Sequence, residues 1–208
     1  LDSDVPFEYA AMAEPLACCI HGIDLAGIRP GQKVCVVGGG AIGLIMVQLS
    51  KLSGAAKIAL SEPNEKRRQV ALHLGADVAI DPTQPDYKGR FQEAMGSGAD
   101  VVIECVGNVP AVKSAFQFAG KGATILLFSV PKVDSMFDLP LFDIYKKELT
   151  VKGSFVNPDT HARAVALINS GKVDFAPIIT HRFTLEQLPE AIAMQMSEES
   201  IKVVVVAE

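Results

Sequence analysis

The sequence predicts an α/β fold built on a parallel, doubly wound six-stranded sheet, and three observations carry that prediction. The apolar run Val34-Cys35-Val36-Val37 breaks at Gly38, Gly40 and Gly43 and resumes as the helix-like stretch 44–49. Further short apolar runs follow, each separated from the next by a helix-compatible stretch. An acidic residue, Glu62, stands at the end of the second run, about 20 residues beyond the glycines. Strands alternating with helices imply right-handed crossovers and a parallel sheet. A glycine turn after the first strand then gives the order 3-2-1-4-5-6.

Each element has its own signal. Glu14-Pro15 ahead of Leu16-Ala17-Cys18-Cys19-Ile20 predicts a helix with Pro15 at its first position, where a missing N–H costs nothing. Arg29-Pro30-Gly31-Gln32 turns the chain into the first strand. The second strand is 57–60, and Asn64 then caps a helix running to Leu74 and closed by Gly75. Residues 78–80 form a third strand, and a Pro-containing loop over 81–86 leads to a modest helix carrying Phe91 and Met95. The fourth, fifth and sixth strands are 100–104, 123–128 and 149–154. A helix opened by Asn108 and Pro110 separates the fourth from the fifth, and 136–144 reads as an irregular apolar loop before the sixth. Asn157-Pro158 starts a helix reaching Ile168. The remaining pieces, a strand at 177–183, a helix at 189–196 and a strand at 202–206, do not fit that sheet and read as part of a second unit.

Composition narrows the functional classes. The chain has 208 residues, 49% hydrophobic and 21% charged, with a net charge of −5, which describes a globular protein. Its basic residues are scattered apart from Lys66-Arg67-Arg68 on a predicted helix, so no nucleic-acid surface is expected. No apolar run suits a bilayer span and no secretory signal is visible. Cys18, Cys19, Cys35 and Cys105 lack disulfide or zinc spacing and read as reduced thiols of a cytoplasmic protein.

The chemistry sits in the glycine turn. In G-x-G-x-x-G the first glycine permits the turn, the second lets backbone approach a pyrophosphate, and the third lets helix and sheet pack closely. The helix N-terminus adds free N–H groups and a partial positive charge. Glu62 is placed to accept hydrogen bonds from the adenosine ribose. The alternatives are a turn that only packs and a solvated carboxylate. Two other classes stay open: a nucleotide-sensing module without catalysis, and an S-adenosylmethionine methyltransferase. The latter usually has an acid just before the first glycine, where this sequence has Val37.

Glu14-Pro15-Leu16, the glycine turn, Ser61-Glu62-Pro63-Asn64-Glu65-Lys66-Arg67, Leu74-Gly75-Ala76-Asp77, Lys152-Gly153-Ser154-Phe155 and Thr180-His181-Arg182-Phe183 occur in order across nearly the whole chain. Together they closely resemble the zinc-dependent medium-chain dehydrogenases, especially the sorbitol, butanediol and threonine dehydrogenase branch. The resemblance implies a linking helix and Rossmann NAD-binding domain over 1–174. It also implies, over 175–208, a C-terminal segment of a chaperonin-10-like catalytic domain whose remainder, with its Cys and Gly-His-Glu zinc motif, lies outside this sequence. Zinc is then expected in the parent enzyme only, with no metal residue in this chain and no activity from this half alone.

Carried over residue by residue, the resemblance implies cofactor contacts by Gly38, Gly40, Ala41, Ile42 and Gly43, by Glu62 at the adenosine ribose and by Arg67 beside the adenine. Phe128, Ser129 and Val130 past the fifth strand, and Ser154, Phe155 and Val156 past the sixth, would line the nicotinamide. Ordinary strand-end packing is the alternative for these two groups. Glu14 matches an acid near the catalytic zinc and substrate, and Arg182 a polar position on the substrate side; a solvated carboxylate is the other reading of Glu14. The implied partners are a nicotinamide dinucleotide, with NAD expected over NADP, and a small secondary alcohol or polyol. A second copy of the chain is expected at the edge of the sixth strand, with the valine run at 203–206 as a competing edge that invites non-specific association instead.

Overall fold

The structure, a computed structural model, describes residues 2–3 and 5–207. Its main sheet has six parallel strands: β1 Lys33–Val37, β2 Lys57–Ser61, β3 Val78–Ile80, β4 Ala99–Glu104, β5 Ala119–Leu127 and β6 Thr150–Gly153. Their spatial order is β3-β2-β1-β4-β5-β6, as expected from the sequence. The register sets Val36 of β1 beside Leu60 of β2 and Ile103 of β4, so β1 is paired on both sides and its C-terminal end faces the glycine turn.

Successive side chains of a strand point to opposite faces, and β1 divides accordingly between two cores. Val34 and Val36 join the cluster under α2 (Ala13–Ala26), α3 (Ala41–Leu52), α4 (Glu65–Leu74) and α8 (His161–Asn169), whose centre holds Leu16, Leu44, Ile45, Met46 and Ile168. Cys35 and Val37 join the cluster on the other face, under α5 (Tyr87–Met95) and α6 (Val109–Phe118), where Phe91 stacks on Phe118 at 4.2 Å. Two covered faces explain why the strands read as continuous apolar runs rather than alternating ones.

Caps follow the chemistry of the residues. The Asn64 side chain accepts the Arg67 N–H at 3.2 Å, and Gly75 closes α4 in the left-handed region at φ 114°. The Asn108 side chain accepts the Ala111 N–H at 2.9 Å. The short helix α1 spans Phe7–Ala10. The C-terminal residues form β7 Ile179–Phe183 and β8 Lys202–Val205, a separate two-stranded parallel sheet bridged by a 3₁₀ turn at Leu185–Gln187 and α9 Leu188–Gln195. Phe175, Ile178, Ile201 and Val204 nonetheless pack into the same core as Leu44 and Met46.

Several boundaries differ from expectation; β5, for example, starts at Ala119 rather than at 123. α2 starts at Ala13, which leaves Pro15 at the third position. Proline is tolerated there because the first four N–H groups have no intrahelical partner. α8 starts at His161 rather than Asn157, after a turn in which Val156 and Asp159 take positive φ. The 136–144 loop is not wholly irregular: Leu141–Lys147 forms a helix, α7, ended by Glu148 in the left-handed region. Asp143 in its first turn and Lys146 and Lys147 in its last complement the helix dipole. Among the described residues, no helix is long and apolar enough to cross a membrane.

Candidate functional site

The strands deliver their C-terminal ends to one crevice beside the glycine turn. Gly38 donates its N–H to the Ser61 carbonyl at 2.8 Å and sits at φ 103°, a conformation that favours glycine. A Cβ on Gly43 would collide with the Gly38 carbonyl, whose carbon would lie 2.9 Å away, so α3 leans directly on the turn. Gly40 is different. Its φ of −71° suits any residue, and a Cβ there would meet no atom within 4 Å. Neither backbone nor packing asks for glycine at this position; a ligand pressed against the backbone would. No side chain caps α3, so the N–H groups of Ala41, Ile42 and Gly43 in its first turn are free for an anion.

Glu62 is buried, at 5% exposure, and both carboxylate oxygens are engaged. Oε2 accepts the Gly39 N–H at 2.6 Å and Oε1 accepts the Asn64 N–H at 2.8 Å. The carboxylate therefore clamps the glycine turn to the start of α4. Each oxygen keeps a second acceptor site, which makes Glu62 a pre-oriented acceptor at the cleft wall. A Cβ on Gly39 would come within 2.8 Å of Glu62 Cγ, so the glycine between the motif positions serves this clamp.

Two cavities meet at the turn. One, of about 760 Å³, is lined by Gly38, Gly40, Ser61, Glu62, Arg67 and Val106 and continues between α5 and α6 past Tyr87, Lys88 and Lys113. The other, of about 330 Å³, is lined by Gly40, Ala41, Ile42 and Arg67 and by Gln195, Ser200 and Lys202 from the C-terminal segment. Gly40, Arg67 and Cys105 line both. Ser61 Oγ and Arg67 Nε are buried with no hydrogen-bond partner in the structure, and both residues line the first cavity. Open backbone donors, an anion-ready helix end and these unpartnered polar atoms fit a dinucleotide.

Sequence reasoning missed Glu104 and Lys202. Glu104 ends β4 and is 1% exposed. Its carboxylate accepts the N–H groups of Val106 at 2.7 Å and Gly107 at 2.9 Å and the Ser129 hydroxyl, while its carbonyl accepts Phe128 N–H at 3.0 Å. One buried acid thus fixes the loops after β4 and β5 together. A strand ending in an acid was the only signal in the sequence. Lys202 lines the smaller cavity together with Gly40, Ala41 and Ile42, a placement visible only once β8 has folded back.

The other expected residues divide. Phe128 is partly buried against the α2–α3 core, where a Cβ on Gly22 would approach its ring to 2.8 Å. Val130, Phe155 and Val156 are exposed, and Ser154 Oγ is buried without a partner. Glu14 lies outside the two cavities. Its Oε1 accepts the Asn157 amide at 3.0 Å and the Cys18 thiol at 3.2 Å. Burial, with help from Glu14, pushes the Cys18 thiol up to about 11. Arg182 holds Glu8 with Nε at 2.7 Å and Nη2 at 2.6 Å and does not line either cavity. Among the described residues, no group of three or more His, Cys, Asp or Glu side chains is arranged to hold a metal ion.

Comparison with known proteins finds relatives along nearly the whole chain. Sorbitol dehydrogenase of Halalkalibacterium halodurans is 36% identical over 209 residues, covering 98% of this chain and 60% of that protein. Sorbitol dehydrogenase of Gallus gallus is 30% identical, covering 98% of this chain and 58% of that protein. The chain therefore spans 58% to 60% of the lengths of these curated relatives. Among solved structures, a dehydrogenase of Sinorhizobium meliloti, described as zinc-binding and crystallised with NADP, superposes with a TM-score of 0.89 at 36% identity, covering 97% of this chain and 61% of that one. 2R,3R-butanediol dehydrogenase of Bacillus subtilis superposes at 0.88 with 27% identity, covering 99% of this chain and 59% of that one. The family profile described as zinc-binding dehydrogenase matches residues 41–170, and on this match and these relatives the chain belongs to the zinc-binding dehydrogenase family.

Proposed function

We propose that this chain is the NAD(H)-binding half of a medium-chain dehydrogenase that oxidises a secondary alcohol or polyol to a ketone. The observation that carries the reading is the glycine turn, with Gly40 open to the cleft and the free N–H groups of α3 behind it. The N–H groups of 41–43 hold the pyrophosphate, Lys202 adds a positive charge, and Glu62 takes the adenosine ribose hydroxyls. The ends of β5 and β6, at 128–130 and 154–156, line the nicotinamide, with Glu104 and Ser129 fixing the first of these loops. The bound nicotinamide supplies the chemistry by accepting a hydride from the alcohol carbon. The chain's own part is to hold that ring in place, a positioning task.

Glu62 favours NAD, because its charge repels a 2′-phosphate, while Lys66 and Arg67 temper the preference. Glu14 is the acid assigned to the substrate side. Arg182, the second substrate-side candidate, must leave Glu8 to reach a substrate. The division into a cofactor unit at 1–174 and a catalytic-domain segment at 175–208 is part of the same proposal. So is a cytoplasmic location, which suits four free cysteines. Two copies would join at β6. Leu141, Phe142 and Tyr145 on α7, which leads into β6, and Phe155 just past it are exposed, and an unpaired strand edge invites a partner.

Calorimetric titration with NADH, NADPH and S-adenosylmethionine tests the reading. NADH is expected to bind most tightly. Equal NADPH affinity would remove the NAD preference, and binding of S-adenosylmethionine alone would replace the dehydrogenase reading.

A further inference from the structure

Arg67 touches more than the cleft. Its Nη2 donates to the carbonyl of Ser200 at 2.8 Å, and that residue is buried at 1% exposure in the segment leading into β8. The segment is keyed to its surroundings on both sides of this carbonyl. Ser200 Oγ donates to the Met194 carbonyl at 2.8 Å, and the Ile201 N–H donates to Thr180 Oγ1 at 3.0 Å. A second, longer tie runs from the Asn64 amide to the Glu198 carbonyl at 3.4 Å. Arg67 also lines the cofactor cleft, and its Nε, on the same edge of the guanidinium as Nη2, is buried and without a partner. A planar guanidinium presents donors in a fixed fork, so occupying one donor orients the others.

We infer that Arg67 is a positioning residue that couples cofactor occupancy to the seating of the C-terminal segment, with Nε taking an oxygen of the bound dinucleotide while Nη2 holds the Ser200 carbonyl. The inference rests on the cofactor site proposed above. With Nε unengaged, the side chain swings off Ser200 at the cost of one hydrogen bond. With Nε engaged, the same swing also breaks a cofactor contact, so β8 is held more firmly when the cleft is full. Linkage makes the effect reciprocal: a seated segment raises cofactor affinity by the same factor. Lysine keeps the charge at this position but has no fork with which to reach both partners.

The test is hydrogen exchange on the full chain, read at the Ile201 and Val203 amides with and without NADH at matched saturation, in wild type and Arg67→Lys. The α8 amides serve as an unlinked control. NADH is expected to slow exchange at Ile201 and Val203 in the wild type by roughly tenfold, the worth of one charge-assisted hydrogen bond, and to leave α8 unchanged. In Arg67→Lys, NADH should still bind, about tenfold more weakly, and the slowing at Ile201 and Val203 should vanish. Equal slowing in both proteins, or none in a wild type that binds NADH, would overturn the coupling. A wild type that fails to bind NADH would instead sink the cofactor reading and the coupling with it.

Discussion

Replacing Glu62 with alanine should damage folding and binding together, because one carboxylate does both jobs. Its oxygens accept two backbone N–H groups, at 2.6 Å from Gly39 and 2.8 Å from Asn64, at a site 5% exposed. Alanine orphans both donors. Each buried orphan costs about 1–3 kcal/mol, and the adjoining cleft lets water recover part of that, so the expected loss of stability is about 2–4 kcal/mol. Loss of the ribose acceptor should weaken NADH binding by a further 1–3 kcal/mol, about 5- to 160-fold. Urea unfolding and NADH fluorescence titration read the two effects separately. Glutamine is the informative control. Its single acceptor oxygen can serve one N–H while its NH₂ opposes the other, so its stability should fall between wild type and alanine. An alanine variant within about 0.5 kcal/mol of wild type in stability would refute the clamp, whatever happened to binding.

Val151→Pro should leave the fold intact and abolish dimers. Ser154 N–H bonds to Leu127, so by alternation the Val151 N–H points away from β5; light scattering with circular dichroism checks this, and a folded dimeric variant would exclude the β6 interface. Arg182→Ala should cost under about 1 kcal/mol at neutral pH, as exposed pairs do. Because hydrogen bonding to Arg182 depresses the Glu8 carboxyl from its usual 4.5, the pair's contribution is full above that value and lost as pH falls through the lower folded value. Urea midpoints for wild type and variant should therefore converge in acid. Cys18, its thiol pushed up to about 11 by burial and by Glu14, should alkylate slowly at pH 8 and accelerate only toward pH 11, followed by mass spectrometry. Rapid modification at pH 8 would contradict the half-buried, Glu14-bonded placement.

The features legible in the sequence are those set by local chemistry. The strand order followed from one glycine turn on β1 and the alternation of elements, because parallel crossovers leave few topologies. Asn64 and Gly75 marked the ends of α4 because capping is a property of the residues themselves. α7 was not legible, since Leu141, Phe142 and Tyr145 stay exposed and give no buried stripe to read. α8 was placed early because Asn157 and Pro158 look like a helix start, whereas the chain spends them on a turn that delivers the Asn157 amide to Glu14. The clamp by Glu62, the loop-fixing acid Glu104 and the approach of Lys202 all depend on partners 23 residues or more away, or on the buried end of a strand. Periodicity carries no trace of such long-range contacts.

The central claim is that the glycine turn exists to receive a dinucleotide, and Gly40→Ala tests it most directly. A Cβ at Gly40 meets nothing within 4 Å and its φ of −71° suits alanine, so stability should stay within about 0.5 kcal/mol of wild type. The added methyl occupies the space a pyrophosphate needs, so NADH affinity measured by calorimetry should fall by at least about tenfold, the scale of a contact worth 1.4 kcal/mol. Wild-type NADH affinity in an equally stable Gly40→Ala variant would contradict the account.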